Sequence, residues 1–155
     1  MKQVVALFLC LIFPGSIFAG DNGYKVAYDG GSIQNLKAGT EMHIVLEGTK
    51  IRLVREKDDL AVIPASAVTE ISYGQDVHRR VGAAIGVAVV SLGIGALLAL
   101  SKSKKHYIGI TWDDGGAKGG FAFQAGKNDY RGLLAGLEGI TGKKAVDSDA
   151  MTVKN

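Results

Sequence analysis

The stretch MHIVLEGTKIRLVR, residues 42–55, has the pattern of two short β-strands joined by a tight turn. Apolar Ile51 and Leu53 alternate with charged Lys50 and Arg52, which is the period of a strand with one buried face. The tripeptide EGT between the two apolar runs supplies a turn that contains glycine. These residues predict a β-hairpin and therefore an antiparallel sheet.

Further strand patterns lie on both sides of this hairpin, separated by charged or glycine-rich turns. Weak patterns at 24–28 and 30–33 add one or two shorter strands. With a C-terminal helix, these segments predict an α+β fold with a small antiparallel sheet or barrel of about six strands. The clearer strand segments are residues 42–46, 50–55, 60–63, 68–73, 106–112 and 120–125.

The C-terminal helix is predicted to begin after Asn128, as its N-cap, and to stop at Gly142. Its second face carries Gly132, Gly136 and Gly139, which together lower helix propensity by about 2–3 kcal/mol relative to alanine. Either another backbone approaches this glycine stripe closely, or the helix is weak and is held by its apolar face. The second alternative is favoured. The apolar face comprises Tyr130, Leu133, Leu134, Leu137 and Ile140.

Residues 81–100 form a long apolar run that has no charged residue and contains Ser91 as its single polar residue. At about 1.5 Å per residue the run makes a helix of about 30 Å, the thickness of a bilayer core. It therefore predicts a transmembrane helix or an inserted membrane segment, the alternative being a buried helix of a soluble domain. Basic residues on both sides are predicted to lie at the membrane interface. These are Arg79, Arg80, Lys102, Lys104 and Lys105.

Small residues within the run permit close helix contact, and Gly82, Gly86, Gly93 and Gly95 are the predicted helix-packing positions. A single span would separate the two polar parts of the chain across the membrane. A helical hairpin would leave both parts on one side. The upstream strands lack a covering helix and the downstream strands are too few to close a core, so one interrupted domain, and hence the hairpin, is favoured.

The formal charge of +3 is concentrated around the apolar run. Residues 79–105 contain five basic residues and no acidic one, whereas the rest of the chain, without Lys2, has twelve basic and fifteen acidic residues. Such a chain lacks a broad positive surface for phosphate backbones, so no nucleic-acid binding is expected. Membrane lipid is the predicted partner, with a protein partner or self-association as further alternatives.

The N-terminal residues 1–19 have the three parts of a secretory signal peptide, and cleavage is predicted after Ala19. Cys10, the single cysteine, lies inside this peptide, so thiol chemistry and disulfides are excluded for the mature chain. The sequence thus predicts an exported, membrane-associated protein on the periplasmic side of the cell envelope. Its predicted domain covers residues 20–145, with the apolar segment inserted, and residues 146–155 are predicted to be a flexible tail.

Several short motifs carry a resemblance to known proteins. They are YDGG at 28–31, Ile63-Pro64, ISYGQ at 71–75, RRVG at 79–82, KKHY at 104–107, KNDY at 127–130 and TGKK at 141–144. On these motifs the chain resembles a group of small exported bacterial proteins of unknown function, and its order of strands followed by a terminal helix is similar to the pleckstrin-homology-like fold. The resemblance implies a fold but no catalytic or ligand-binding residue, and the apolar insertion departs from ordinary members of that fold.

Candidate catalytic or metal-binding residues are few. His78 and His106 flank the apolar run, where a hairpin would bring them together, and His43 lies in the first hairpin. The Asp113-Asp114 pair fits a solvated turn, and the glycine-rich stretch 115–120 precedes a strand rather than the helix that a phosphate-binding loop requires. No catalytic, cofactor-binding or metal-binding residue is therefore predicted.

The predicted function is that of a non-enzymatic envelope protein that binds lipid or a protein partner. One alternative is an assembly or pore-like role in which the glycine-spaced segment self-associates. Another is an enzyme that uses His43 or the Asp113-Asp114 turn.

Overall fold

A computed structural model describes residues 23–86 and 106–149. Within these residues the chain forms eight strands and two α-helices, with a 3-10 turn at Ala65–Ala67. In chain order the elements are β1 (Tyr24–Gly31), β2 (Glu41–Glu47), β3 (Lys50–Arg55), β4 (Asp58–Pro64), β5 (Val68–Tyr73), α1 (Val77–Ile85), β6 (His106–Asp114), β7 (Ala117–Ala125), α2 (Tyr130–Thr141) and β8 (Ala145–Asp147).

All eight strands belong to one sheet, in the order β4-β3-β2-β1-β7-β6-β5-β8. Neighbouring strands pair antiparallel except β5 and β8, which run parallel. Because β1 pairs with β7, the polar parts before and after the apolar run share this sheet. The predicted α+β class is thus confirmed.

The sheet has eight strands rather than the predicted six or so. The weak pattern at 24–28 and the first two residues of the one at 30–33 form one continuous strand, β1, which ends at Gly31. Strand β8 is only three residues long, which is too short to show an alternating pattern. It includes Val146 and Asp147, which the sequence assigned to a flexible tail, and these two residues pair with β5.

The inner face of the sheet forms the main core. Ile51 and Leu53 of the first hairpin are fully buried there, as their alternation predicts. Only the 3-10 turn separates β4 from β5 in sequence, although the two strands lie far apart in the sheet order, so the sheet curls to bring them together. Helix α2 closes this core with Leu133 and Leu137.

The outer face is covered over β6 and β7 by helix α1. Val77 and Val81, one turn apart on the helix, are fully buried against Tyr107 and Ala122. Glycine permits this close contact, because a Cβ at Gly109 would lie 2.6 Å from Val77 Cγ1 and 2.7 Å from Val81 Cγ2. The central strands are therefore covered on both faces.

The predicted transmembrane helix over 81–100 is wrong. Its first five residues belong to α1, which ends at Gly86 in a left-handed conformation with φ of 70°. Val81 and Gly82 are buried in the domain because they cover the outer face of the sheet. Across residues 23–86 and 106–149, no helix is long and apolar enough to cross a membrane. Residues 87–100, and the predicted signal peptide at 1–19, lie outside the described part of the chain.

Helix α2 has the predicted end but a different start. Gly142 is its C-cap, with φ of 69°, whereas Asp129 rather than Asn128 occupies the N-cap position. The glycine stripe is approached by side chains. A Cβ at Gly136 would lie 2.5 Å from Leu46 Cδ1, whereas none of the described residues has an atom within 4 Å of the corresponding position at Gly139.

Replacing Gly139 by alanine should stabilise the protein, because the site is open and alanine favours helix by about 1 kcal/mol. Gly136→Ala should gain clearly less, since Leu46 must move to admit the methyl group. Chemical denaturation of both variants measures the difference. Equal gains at the two positions would show that Leu46 does not restrict the glycine stripe.

Candidate functional site

The candidate site lies where the connection between β5 and β6 leaves and rejoins the sheet. We name this region the insertion base. It comprises helix α1, His106 and Tyr107 of β6, and the residues that contact them, which are Asp29, Glu70, Tyr73 and Tyr130. His106 and Tyr107 are consecutive in a strand, so their side chains point to opposite faces of the sheet. The insertion base consequently has an outer part under α1 and an inner part next to α2.

A buried carboxylate and an imidazole meet in the outer part. Asp29 is the extra residue of a β-bulge, because the register of β1 against β7 shifts between Tyr28 and Gly30. Its Oδ2 lies 2.5 Å from His78 Nε2, and the side chains are 1% and 19% exposed. A carboxylate this deeply buried needs a partner, and His78 supplies one from the first turn of α1.

Tyr107 lies beside this pair. Its ring contacts the His78 ring edge-on, with 5.2 Å between the ring centroids. Within the described residues its buried hydroxyl has no hydrogen-bond partner. Burial, with a smaller contribution from the charge of Asp29, raises the pKa of Tyr107 to about 12. The phenol is therefore neutral at physiological pH.

Arg80 makes a second polar link between α1 and the sheet. Its Nε and Nη2 donate to Glu70 Oε1 and Oε2 at 2.9 and 2.8 Å, a bidentate arrangement. These hydrogen bonds raise the pKa of Arg80 above its ordinary value. Because Glu70 belongs to β5, Arg80 ties the helix to the strand that precedes it.

Three aromatic rings stack in the inner part. His106 lies on the Tyr130 ring with 3.7 Å between centroids and 5° between planes. The Tyr73 hydroxyl lies 2.8 Å from His106 Nδ1. The stack joins the end of β5, the start of β6 and the start of α2, so the point where the chain rejoins the sheet is held by three elements.

The charge of His106 is set by its surroundings. Burial, followed by the positive charges of Arg131 and Lys127, lowers the pKa of His106 below its ordinary value of 6.5. Arg131 lies over the Tyr130 ring, 5.6 Å from its centroid, and its Nε donates to the Tyr130 hydroxyl at 2.9 Å. The imidazole is therefore neutral at pH 7, inside a positively charged rim.

The predicted membrane-interface and helix-packing residues fall into different environments. Arg79 is exposed on α1, whereas the neighbouring Arg80 is engaged by Glu70. Gly82 is buried against the sheet, and Gly86 ends the helix, where no atom of the described residues lies within 4 Å of a Cβ built at this position. The remaining ones, Lys102, Lys104, Lys105, Gly93 and Gly95, lie outside the described residues.

The histidines singled out by sequence are not brought together. His78 and His106 lie on opposite faces of the sheet, and His43 is exposed on β2. Asp113 accepts a hydrogen bond from the Gly116 amide at 2.8 Å in the β6–β7 hairpin, as expected for a turn carboxylate. In the two described ranges, no group of three or more acidic, histidine or cysteine side chains is placed to hold a metal ion.

Sequence reasoning did not single out Asp29, although it is the most buried charged residue of the insertion base. The available signal was an acidic residue inside a strand pattern, followed directly by Gly30 and Gly31. That combination is typical of a bulge that turns a polar side chain to the other face. The aromatic stack was missed because its members are far apart in sequence.

No protein-family model matches this chain, and no curated protein matches it. The resemblance to small exported bacterial proteins therefore stays a prediction. The insertion base has a buried polar pair and an aromatic stack, but both are engaged in holding elements together. These contacts hold α1 and the start of β6 against the sheet, on both sides of the β5–β6 connection.

Replacing Asp29 by alanine should lower the free energy of unfolding by about 3 kcal/mol, because His78 loses its buried partner. Tyr107→Phe should leave stability unchanged or raise it by up to about 1 kcal/mol, since it removes a buried hydroxyl without a partner. Urea denaturation measures both effects, with Asp58→Ala as an exposed control. A large loss in Tyr107→Phe would contradict this assignment.

The lowered pKa of His106 gives stability a defined pH dependence. The unfolded chain binds this proton more readily than the folded one, so stability falls as pH drops through about 6.5 and below. We expect His106→Phe to have a shallower loss of stability than the wild type between pH 7 and pH 5. Thermal denaturation across this interval measures the slopes, and identical slopes would rule out a contribution from His106.

Proposed function

We propose that this chain is a non-enzymatic, pleckstrin-homology-like binding module that contacts an anionic lipid surface through the β5–β6 insertion. Two features of the fold support the pleckstrin-homology-like assignment. A curled sheet has the order β4-β3-β2-β1-β7-β6-β5, and the later helix α2 closes its core. The proposed contact is peripheral and uses no transmembrane helix.

The position of α1 on the sheet is the observation that supports this proposal. The helix lies flat on the outer face, with Val77 and Val81 buried and Arg79 exposed on its other side. Within residues 23–86 and 106–149, Arg79 has no ion-pair partner, so its charge is available to a ligand. The helix leads directly into the uncharged sequence 87–100. An exposed cation beside an apolar sequence suits lipid phosphates and acyl chains.

The proposal also includes export to the periplasmic side of the cell envelope. It rests on the signal-peptide pattern of residues 1–19. Self-association through the glycine-spaced segment is not favoured by the described part of the chain. Gly82 is buried in the domain and Gly86 is the C-cap of α1, so this pair presents no continuous helical surface within the described residues.

Vesicle co-sedimentation tests the lipid contact. The purified full chain should bind vesicles of phosphatidylglycerol and phosphatidylcholine more tightly than vesicles of phosphatidylcholine alone. Arg79→Glu should weaken binding to the anionic vesicles by about tenfold or more, because each basic residue near such a surface contributes about 1 kcal/mol. Added salt should weaken the wild-type contact as well, through screening.

The matched control is Arg55→Glu, which makes the same charge change at an exposed position on β3. This variant should bind anionic vesicles like the wild type. Equal losses in both variants would indicate a nonspecific charge effect. Equal binding of the wild type to both vesicle types would reject the anionic-lipid proposal.

A further inference from the structure

The segment 145–149 adds a strand to the edge of β5 at the insertion base. Ala145, Val146 and Asp147 pair in parallel with the last three residues of β5. Beyond them, the Ser148 amide and hydroxyl both donate to the Tyr73 carbonyl, at 2.8 and 3.1 Å. Backbone pairing thus fixes the direction of the segment, and Ser148 fixes its register.

Asp149 extends this contact to the beginning of α1. Its Oδ1 accepts hydrogen bonds from the amides of Gln75 and Asp76, at 2.6 and 3.3 Å. Because Asp76 is the N-cap of α1, the Asp149 carboxylate lies at the positive end of the helix dipole. The segment therefore binds two elements at once, the edge of β5 and the start of the helix that leads into the insertion.

Gly74 is shaped to receive this segment. Its φ is +132°, a conformation that L side chains rarely adopt. A Cβ at this position would overlap Ser148 Oγ and would lie 2.7 Å from Asp149 Oδ1. Close approach of the Ser-Asp pair therefore requires glycine between β5 and α1.

The strand at the start of this segment is short and partly exposed. It is three residues long, Val146 is partly exposed and Asp147 is exposed. Residues 142–144 link it to α2, and near this link the Ala145 amide donates to Glu138 Oε1 at 2.8 Å. A short, exposed edge strand opens at lower free energy than the central strands of a sheet.

We propose that this edge is an exchange site, at which the groove formed by β5, Gly74 and the start of α1 accepts segment 145–149 of a second copy of this chain. Reciprocal exchange gives a dimer in which Asp149 of each copy binds the start of α1 in the other. An identical segment reforms every hydrogen bond described above, so only the linkage between segment and groove changes. The exchange does not depend on lipid binding.

The length of the link, residues 142–144, determines whether the segment binds the groove of its own chain or the groove of a second copy. In the wild type the covalent link keeps the segment at high local concentration near its own groove, so dimers should form only as protein concentration rises. Deleting Lys143 and Lys144 from the full chain prevents the segment from reaching its own groove in register. This deletion variant should be a dimer by light scattering at concentrations where the wild type is a monomer.

Two variants control this experiment. Inserting Gly-Ser after Lys144 lengthens the link and should leave the chain monomeric. Adding Asp149→Ala to the deletion should raise the dimer dissociation constant at least tenfold, because the contact with Gln75 and Asp76 is lost. A deletion variant that folds as a monomer, or a dimer insensitive to Asp149→Ala, overturns the proposal.

A second measurement does not depend on whether the deletion variant folds. A fluorescent peptide of residues 143–155 should bind the wild-type full chain saturably, and the same peptide with Asp149→Ala should bind at least tenfold more weakly. Equal binding of the two peptides overturns the proposal. The peptide could also bind specifically while the deletion variant folds and stays monomeric. That result would overturn exchange between copies and would assign the groove to a segment of another protein.

Discussion

The close approach of helix α1 to the outer face of β6 and β7 is the constraint on which the insertion base depends. Small residues lie beneath α1 on the outer face of these strands beside the larger Tyr107, namely Gly109 on β6 and Gly120 and Ala122 on β7. A Cβ at Gly120 would lie 3.1 Å from both Val81 and Ile85 of the helix. Larger residues here would lift α1 from the sheet and expose the residues that it buries.

This approach also accounts for the buried polar pair. With α1 pressed onto the sheet, Asp29 has almost no access to water, and His78 must meet it. Replacing a buried ion pair by apolar side chains often costs nothing, so the pair is weak support for stability as such. It does restrict geometry, because a helix shifted along the sheet would leave the carboxylate without this partner. The Asp29–His78 contact therefore restricts sliding of α1 along the sheet.

Sequence reasoning succeeded where burial follows a regular period. The alternation of Ile51 and Leu53 gave the correct faces of β3, and Gly142 gave the correct end of α2. Sequence reasoning failed where the same apolar composition is compatible with a membrane segment and with a helix that covers a sheet. The apolar residues that open the 81–100 run also cover a sheet face, and hydropathy alone does not distinguish these roles. Strand β8 could not be recognised from the sequence, because three residues are too few to show an alternating pattern.

The candidate site was predictable only in part for a related reason. Arg79 and Arg80 were recognised as flanking cations, but adjacent positions on a helix face different ways, so one is exposed and the other binds Glu70. Tyr73 contacts both the C-terminal segment and the start of β6, which the sequence did not connect. Its carbonyl accepts from Ser148 and its hydroxyl bonds to His106. The chain therefore leaves and rejoins the sheet beside one residue of β5. The orientation of the insertion base is thus fixed by the domain itself, whatever the insertion contacts.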